Sequence, residues 1–393
     1  MKLLAKIIVV VMLAGIAVWA WIGPDWRRLL SNLPTANDVL FWTQAERSAG
    51  FRMGDKLTFI VSSRDIPNGD NVRDLPIGEP LDLDVDIDAF MEANNTAAVI
   101  VLHNGEVLLE RYGLEFTREG RWTSFSVAKS FTSTLVGAAI RDGHIGSLND
   151  TVSTYVPGLR GSAYDEVTIE QLLTMTSGVA WNENYSDPAS DVANFINAEP
   201  EEGEASIVTY LKRLPRAHPP GEVYNYSTGE TNLVGILVAE AVGQPLADYL
   251  SEKIWVPFGM EQKATWLLGS TDEELSGCCI QMATRDLARF GQFMLEGGVA
   301  GGSEVLPDGW IETATSNLVG ETDRDRGYGY QWWTLPGDET PMANGIFGQG
   351  MLVDFERNLI IATNSNWQTS RGIEHGEYDR QIEFYRAVQR AVE

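Results

Sequence analysis

Apolar and polar positions along this chain follow two rhythms, and the rhythm changes at identifiable places. Residues 97–102 and 106–112 are apolar-rich runs around His103-Asn104-Gly105. Asn-Gly between two such runs predicts a β-hairpin. Residues 126–141 carry Val127, Phe131, Leu135, Val136, Ala138, Ala139 and Ile140 around most of a helical circumference, closed by Gly143. A helix that is apolar almost all round is a buried one. A second helix is expected from Thr168 to about Met175, because Thr168 and Gln171 have capping-box spacing. Residues 284–295 predict another helix.

Strand signals return late. Tyr328, Tyr330 and Trp332 alternate with Gly329 and Gln331, which predicts a strand. Residues 351–355 and 359–363 flank a polar turn, Glu356-Arg357-Asn358. Tyr378, Ile382, Tyr385 and Val392 share one face of a closing helix. The plan is a sheet built from both ends of one domain, residues 81–393, with a helical insertion at about 160–270. Residues 24–80 are weakly periodic and read as an irregular lead-in. At the N-terminus, Lys2 and Lys6 precede an apolar run over residues 7–22, expected to be a signal segment or a membrane anchor. Export follows in either case, to the periplasm or to a tethered position facing outward.

Composition narrows the function. The chain has 393 residues and a formal net charge of −26. A field of that sign repels phosphate backbones, so no nucleic-acid partner is expected. The two cysteines, Cys278 and Cys279, are adjacent, and neighbours rarely meet disulfide geometry, so two small buried hydrophobes are expected. The four histidines are scattered, and no G-x-S-x-G elbow occurs. HExxH and P-loop patterns are absent, so neither metal nor nucleotide cofactor is expected.

Three segments carry candidate chemistry. Ser126-Val127-Ala128-Lys129 puts a lysine one helical turn after a serine. Lys129 is the only charge from Ser126 to Ile140, and a buried lysine needs a partner. Ser126 sits at the helix start, where free N–H groups stabilise developing negative charge. The bland alternative is an N-cap serine with a lysine reaching to solvent. Tyr226 precedes Ser227-Thr228-Gly229-Glu230, where Ser227 and Glu230 form a plausible capping box, so Tyr226 is either a packing residue or a phenol projected from a helix entrance. Asn344-Gly345-Ile346 lies in a Gly-rich stretch before a strand and could supply a backbone N–H to a reacting carbonyl.

In this order and spacing the segments resemble the serine β-lactamase and penicillin-binding-protein superfamily. More narrowly they look like the class C β-lactamase-related branch that includes esterases and 6-aminohexanoate-dimer hydrolases. Residues 123–129, 171–178, 226–228 and 283–291 carry the resemblance, which covers about residues 80–390. It implies an α/β plus all-α, β-lactamase-like fold. It also implies an acyl-enzyme on Ser126, with Lys129 and Tyr226 moving protons. Ile346 and Gly345 would stand at the oxyanion position, with Asn344, Tyr185 and Thr228 as pocket residues. Two departures count against β-lactam hydrolysis. The family's Lys-Thr-Gly appears as Ala343-Asn344-Gly345, without a cation, and the Asn of Tyr-x-Asn is Thr228. A small amide or ester is then the expected substrate. A D,D-peptidase, a β-lactamase and a non-catalytic sensor or scaffold are the alternatives.

Overall fold

The structure is a computed structural model that describes residues 2–35, 38–56, 62–320, 322 and 324–393. Its centre is a six-stranded antiparallel sheet in the order Glu106–Tyr112, Thr96–His103, Leu359–Ser365, Gln349–Asp354, Pro341–Gly345 and Trp333–Thr334. The sheet is therefore drawn from both ends of the domain. Asn104 and Gly105 turn the first hairpin with φ of 52° and 81°, the left-handed pair that the Asn-Gly signal requires. The strand Thr96–His103 shows no polar face, because helices cover both sides. Ile100 and Leu102 join the core that holds Leu287 and Phe290, whereas Val99 and Val101 join the one that holds Phe90, Ile382 and Phe384.

The helix Ala128–Arg141 packs between that core and the helix Thr228–Val242, and is buried from Ala128 to Ala139. Phe131 stacks on Phe290 with ring centroids 3.7 Å apart. Its hydroxyls are satisfied by carbonyls of neighbouring loops: Ser130 donates to Gln331, Thr132 to Ser276 and Ser133 to Tyr330. The helix Thr284–Leu295 begins at the expected residue. Its Arg285 and Arg289 are buried and pair with Glu261 at 2.9 Å each, and Arg285 also reaches Glu110 at 2.6 Å. The Arg-Asp-Leu-Ala-Arg motif is thus a structural latch that ties this helix to the edge strand and to the 260s loop.

Three expectations need correction. Residues 328–332 do not form a strand: Gln331 has φ 63° and its N–H donates to Leu173 O, so this segment bends through the interior with Tyr328, Tyr330, Gln331 and Trp332 all buried. Burial on every side removes the alternation that a half-exposed strand needs. The lead-in contains helices at Gly23–Ser31 and Gln44–Gly50, the latter opened by a Thr43/Glu46 capping box, and a strand at Ser63–Ile66. That strand starts a second sheet, continuing through Ala264–Leu267 and Ile280–Met282 to Trp122–Thr123, directly before the serine segment. Cys278 and Cys279 are joined by a disulfide and are half-buried; the backbone turn with Cys279 at φ 75° brings the adjacent side chains together. The segment expected as a signal or membrane anchor is not overturned: it forms the helix Lys2–Trp21, 20 residues with none buried. It begins before the apolar run, because Leu3 and Leu4 continue the pattern and only Lys2 and Lys6 interrupt it. At about 1.5 Å per residue it is long enough to cross a hydrocarbon layer of about 30 Å.

The capping box expected at Ser227 is only half formed. Ser227 Oγ accepts from Glu230 N–H at 3.2 Å, but the Glu230 carboxyl turns inward to Ser177 Oγ and to Tyr164 O–H at 3.3 Å. Its Oε2 is buried without a hydrogen-bond partner. Burial pushes the Glu230 carboxyl up to about 8, against the lowering influence of Ser177 and Tyr164. Its folded value therefore lies above the ordinary 4.5, and the folded chain holds the extra proton between those limits. Stability then falls as pH rises from about 4.5 towards about 8. We expect Glu230→Gln to abolish much of that slope and to raise stability near pH 9 by about 1 kcal/mol or more. Urea melts of both chains across this range check it; parallel curves would contradict a buried, protonated Glu230.

Candidate active site

Ser126 lies in a 3-10 turn, Phe125–Val127, that leads straight into the helix beginning at Ala128. The residue before it, Phe125, has φ 41° and is held against Phe51 and Phe347, with centroids 5.0 and 5.6 Å away. This strained, ring-clamped residue fixes the direction in which the Ser126 hydroxyl leaves the backbone. One turn later, Lys129 is 1% exposed. Its ammonium group does not reach solvent, so the alternative of a solvent-seeking lysine is excluded by position.

Three acceptors surround Lys129 Nζ: Gly277 O at 2.7 Å, Thr228 Oγ1 at 3.1 Å and Ser126 Oγ at 3.2 Å. They are chemically unequal. Gly277 O is a carbonyl and can only accept. Thr228 Oγ1 donates its single proton to Glu183 Oε1, so it too can only accept from the amine. Ser126 Oγ alone can either accept or donate. Burial pulls the Lys129 amine down to about 8, while the nearby Glu183 carboxylate pulls the other way. A neutral Lys129 keeps two N–H bonds, to Gly277 and Thr228, which turns its lone pair toward the Ser126 hydroxyl proton.

Tyr226 stands on the other side of the serine. The two line the same cavity, and Lys129 Nζ lies 5.2 Å from the Tyr226 ring centroid. The ring stacks on Trp333 at 5.4 Å. Burial pushes the phenol well above its ordinary value, and Glu183 adds to this, so the phenol keeps its proton at neutral pH.

The serine opens into a cavity of about 390 Å3. Tyr185, Tyr226, Asn344, Gly345 and Ile346 all line it beside Ser126. A Cβ on Gly345 would sit 2.7 Å from Ser124 O, so glycine here permits the strand end to touch the serine loop. Gln349 Nε2 holds the Ile346 carbonyl at 3.1 Å. Asn344 Nδ2 is buried without a protein partner, an available donor beside the cavity. Tyr185 donates its O–H to Glu183 Oε1 at 2.8 Å. Thr228 does not line the cavity; it sits behind Lys129 and joins the amine to Glu183.

Sequence reasoning missed Glu183. Its carboxylate receives Thr228 N–H at 2.9 Å together with the Thr228 hydroxyl, the Trp181 indole N–H and the Tyr185 phenol. A single glutamate in a polar loop gives no signal in sequence; only the fold shows it behind the lysine. Three arginines, Arg324, Arg326 and Arg371, were also missed, and they line the same cavity. Arg326 stacks over Trp333 at 3.8 Å and Arg324 over Tyr378 at 4.5 Å. A groove of about 840 Å3 elsewhere is lined in part by acidic residues and contains none of the proposed catalytic groups.

Known proteins resemble this chain in sequence and fold. The beta-lactamase family model matches residues 83–384. A 6-aminohexanoate-dimer hydrolase of Paenarthrobacter ureafaciens is 31% identical over 297 residues, 72% of this chain and 75% of that protein. A solved structure from Bacillus anthracis, provisionally named a 6-aminohexanoate-dimer hydrolase, superposes with a TM-score of 0.75 at 24% identity, covering 90% of this chain and 97% of that one. A class C beta-lactamase gives a TM-score of 0.57 at 19% identity, covering 78% of this chain and 94% of that one. With the fold, the helix order and these matches in agreement, the chain belongs to the beta-lactamase family of serine hydrolases.

Proposed function

We propose that this chain hydrolyses a small linear amide or ester through an acyl-enzyme on Ser126, with Lys129 as the base and Tyr226 as the proton donor to the leaving group. The observation that carries the reading is the unequal set of acceptors around Lys129, which leaves its lone pair for the serine. Ser126 Oγ attacks the substrate carbonyl carbon while its proton passes to Lys129 Nζ. The backbone N–H groups of Ser126 and Ile346 receive the developing oxyanion, each contributing about 3–4 kcal/mol. The Tyr226 phenol protonates the departing amine or alkoxide and regains its proton through Lys129. Water then cleaves the ester on Ser126.

The substrate class is suggested by two features. A relative named for a 6-aminohexanoate dimer acts, by that name, on a linear amide that ends in a carboxylate. The arginine wall and the buried Asn344 amide provide donors for an anionic end in a chain whose net charge is −26. Arg371 is exposed at the cavity, where a substrate can reach it. We read the apolar N-terminal helix as an export signal or tether that puts this chemistry outside the cytoplasm.

Burst release from a p-nitrophenyl ester, followed by an acyl-enzyme mass spectrum, tests the core of the reading. We expect a burst of one equivalent and acyl mass on the peptide holding Ser126, with Ser126→Ala abolishing both; an equal burst in that variant would favour a scaffold. The pH profile tests the base. Rate should rise as Lys129 loses its proton, giving an acid limb in kcat/KM near pH 8. Glu183→Gln removes the charge that opposes deprotonation, so its limb should lie at lower pH; an unmoved limb would remove Glu183 from the proton relay. Comparing a half-ester of a dicarboxylic acid with its neutral isostere tests the wall. We expect Arg371→Gln to erase roughly threefold of the preference for the anion, the scale of one exposed charge contact.

A further inference from the structure

The adjacent cysteines lie between two backbone contacts to the catalytic segment. On one side, Gly277 O is the shortest acceptor of Lys129, at 2.7 Å. On the other, Ile280 exchanges two hydrogen bonds with Ser124, two residues before the nucleophile: Ser124 N–H donates to Ile280 O at 2.8 Å, and Ile280 N–H donates to Ser124 Oγ at 3.1 Å. Only Cys278 and Cys279 separate these contacts. The rest of the loop is pinned as well. Gly277 N–H donates to Asn232 Oδ1, and a Cβ there would lie 2.8 Å from Thr228 O. The Trp266 indole donates to Cys278 O, and Leu267 N–H to Cys279 O. Cys279 holds φ 75°, a conformation uncommon for a non-glycine residue. The disulfide closes a small ring across that residue.

We propose that the Cys278–Cys279 disulfide is a positioning element of the active site, holding the Gly277 carbonyl against Lys129 and the Ile280 amide against the serine loop, so that reduction disables acylation without unfolding the chain. The proposal rests on Ser126 and Lys129 being the acylating pair. Both cysteines are half-buried, so a small reductant reaches them. The step balances simply. A dithiol gives two electrons and two protons to the two sulfurs, the S–S bond breaks, and the dithiol leaves as its own disulfide. Freed of the ring, Cys279 can relax toward negative φ. That rotation carries the neighbouring carbonyl off Lys129, admits water to the amine, and leaves its lone pair undirected. An exported enzyme would then be active in an oxidising compartment and idle before it arrives.

The experiment uses the full chain, purified under oxidising conditions, before and after dithiol treatment, together with Cys278→Ser/Cys279→Ser. Thiol titration should find no free thiol before treatment and two after. We expect reduction to slow the acylation burst by about tenfold or more, the scale of a small misplacement of a catalytic group. The acid limb should move upward from about 8, because burial is what holds Lys129 down. Melting temperature should shift little, re-oxidation should restore the burst, and the double variant should behave as the reduced chain and ignore dithiol. Hydrogen exchange at the Ser124 and Ile280 amides should accelerate on reduction. This readout needs no turnover, so it separates loss of the disulfide's hold from failure of the hydrolase reading, which shows as no Ser126-dependent burst in the oxidised chain. Two free thiols in the oxidised chain would overturn the proposal. So would a reduced chain with unchanged burst, limb and exchange. Reduced and double-variant chains that both melt at the assay temperature would overturn it too, by making the bond a requirement of the fold alone.

Discussion

The structure is organised around a lysine amine that has been taken out of water. An isolated ammonium in such a place is strongly disfavoured, and the fold answers with acceptors from three separate stretches of chain: the serine one turn earlier, the threonine that starts the helix Thr228–Val242, and the loop at Gly277. Each acceptor needs its own support. Thr228 is aligned by Glu183, and Glu183 by Trp181 and Tyr185. Gly277 is packed so closely on Thr228 and Asn232 that a larger residue would not fit. The amine is thus depressed by burial and yet hydrogen-bonded, the combination that makes a lysine a usable base near neutrality.

The same constraint explains features that look unrelated to chemistry. The latch of Arg285 and Arg289 on Glu261 fixes the helix whose Phe290 supports Phe131, two residues beyond Lys129 on the same helix. The lead-in helix Gln44–Gly50 sends Arg47 to Trp367 O and Asn366 Oδ1 and lays its guanidinium 4.2 Å from the Phe347 ring. Phe347 follows Ile346 and also clamps Phe125. A segment that reads as irregular in sequence therefore braces Phe347, between Ile346 and the ring of Phe125.

What was legible in sequence follows a physical line. Local signals came through: the Asn-Gly hairpin, the Thr168/Gln171 cap, the helix at Thr284–Leu295, and the lysine whose burial demanded a partner. Each depends on residues close in sequence. What was hidden depends on residues far apart. Glu183 acts on Lys129 across the fold, and its character is set by Thr228 rather than by its neighbours. The Tyr328–Trp332 alternation misled because large aromatics alternate in strands and also fill interiors, and here the interior won. The half-formed capping box at Ser227 has the same cause. Glu230 could have reached back to its own helix, but Ser177 and Tyr164 drew it inward. The cysteine pair was misread because the rule for neighbours assumes an extended backbone, which Cys279 does not have.

The two departures from the family pattern can be understood together. Where the family strand carries a lysine, this one carries Ala343, buried in the core beside Met342. A cation there would face the apolar interior, not the cavity. Positive charge instead enters the cavity from loops, through Arg324, Arg326 and the exposed Arg371. Thr228 is the second departure. A threonine hydroxyl can accept from Lys129 while donating to Glu183, which ties the base to a carboxylate that an asparagine amide in that place would engage differently. The hydroxyl of Thr228 thus couples the lysine to Glu183, while the serine, the lysine and the phenol keep their place in the same corner of the fold.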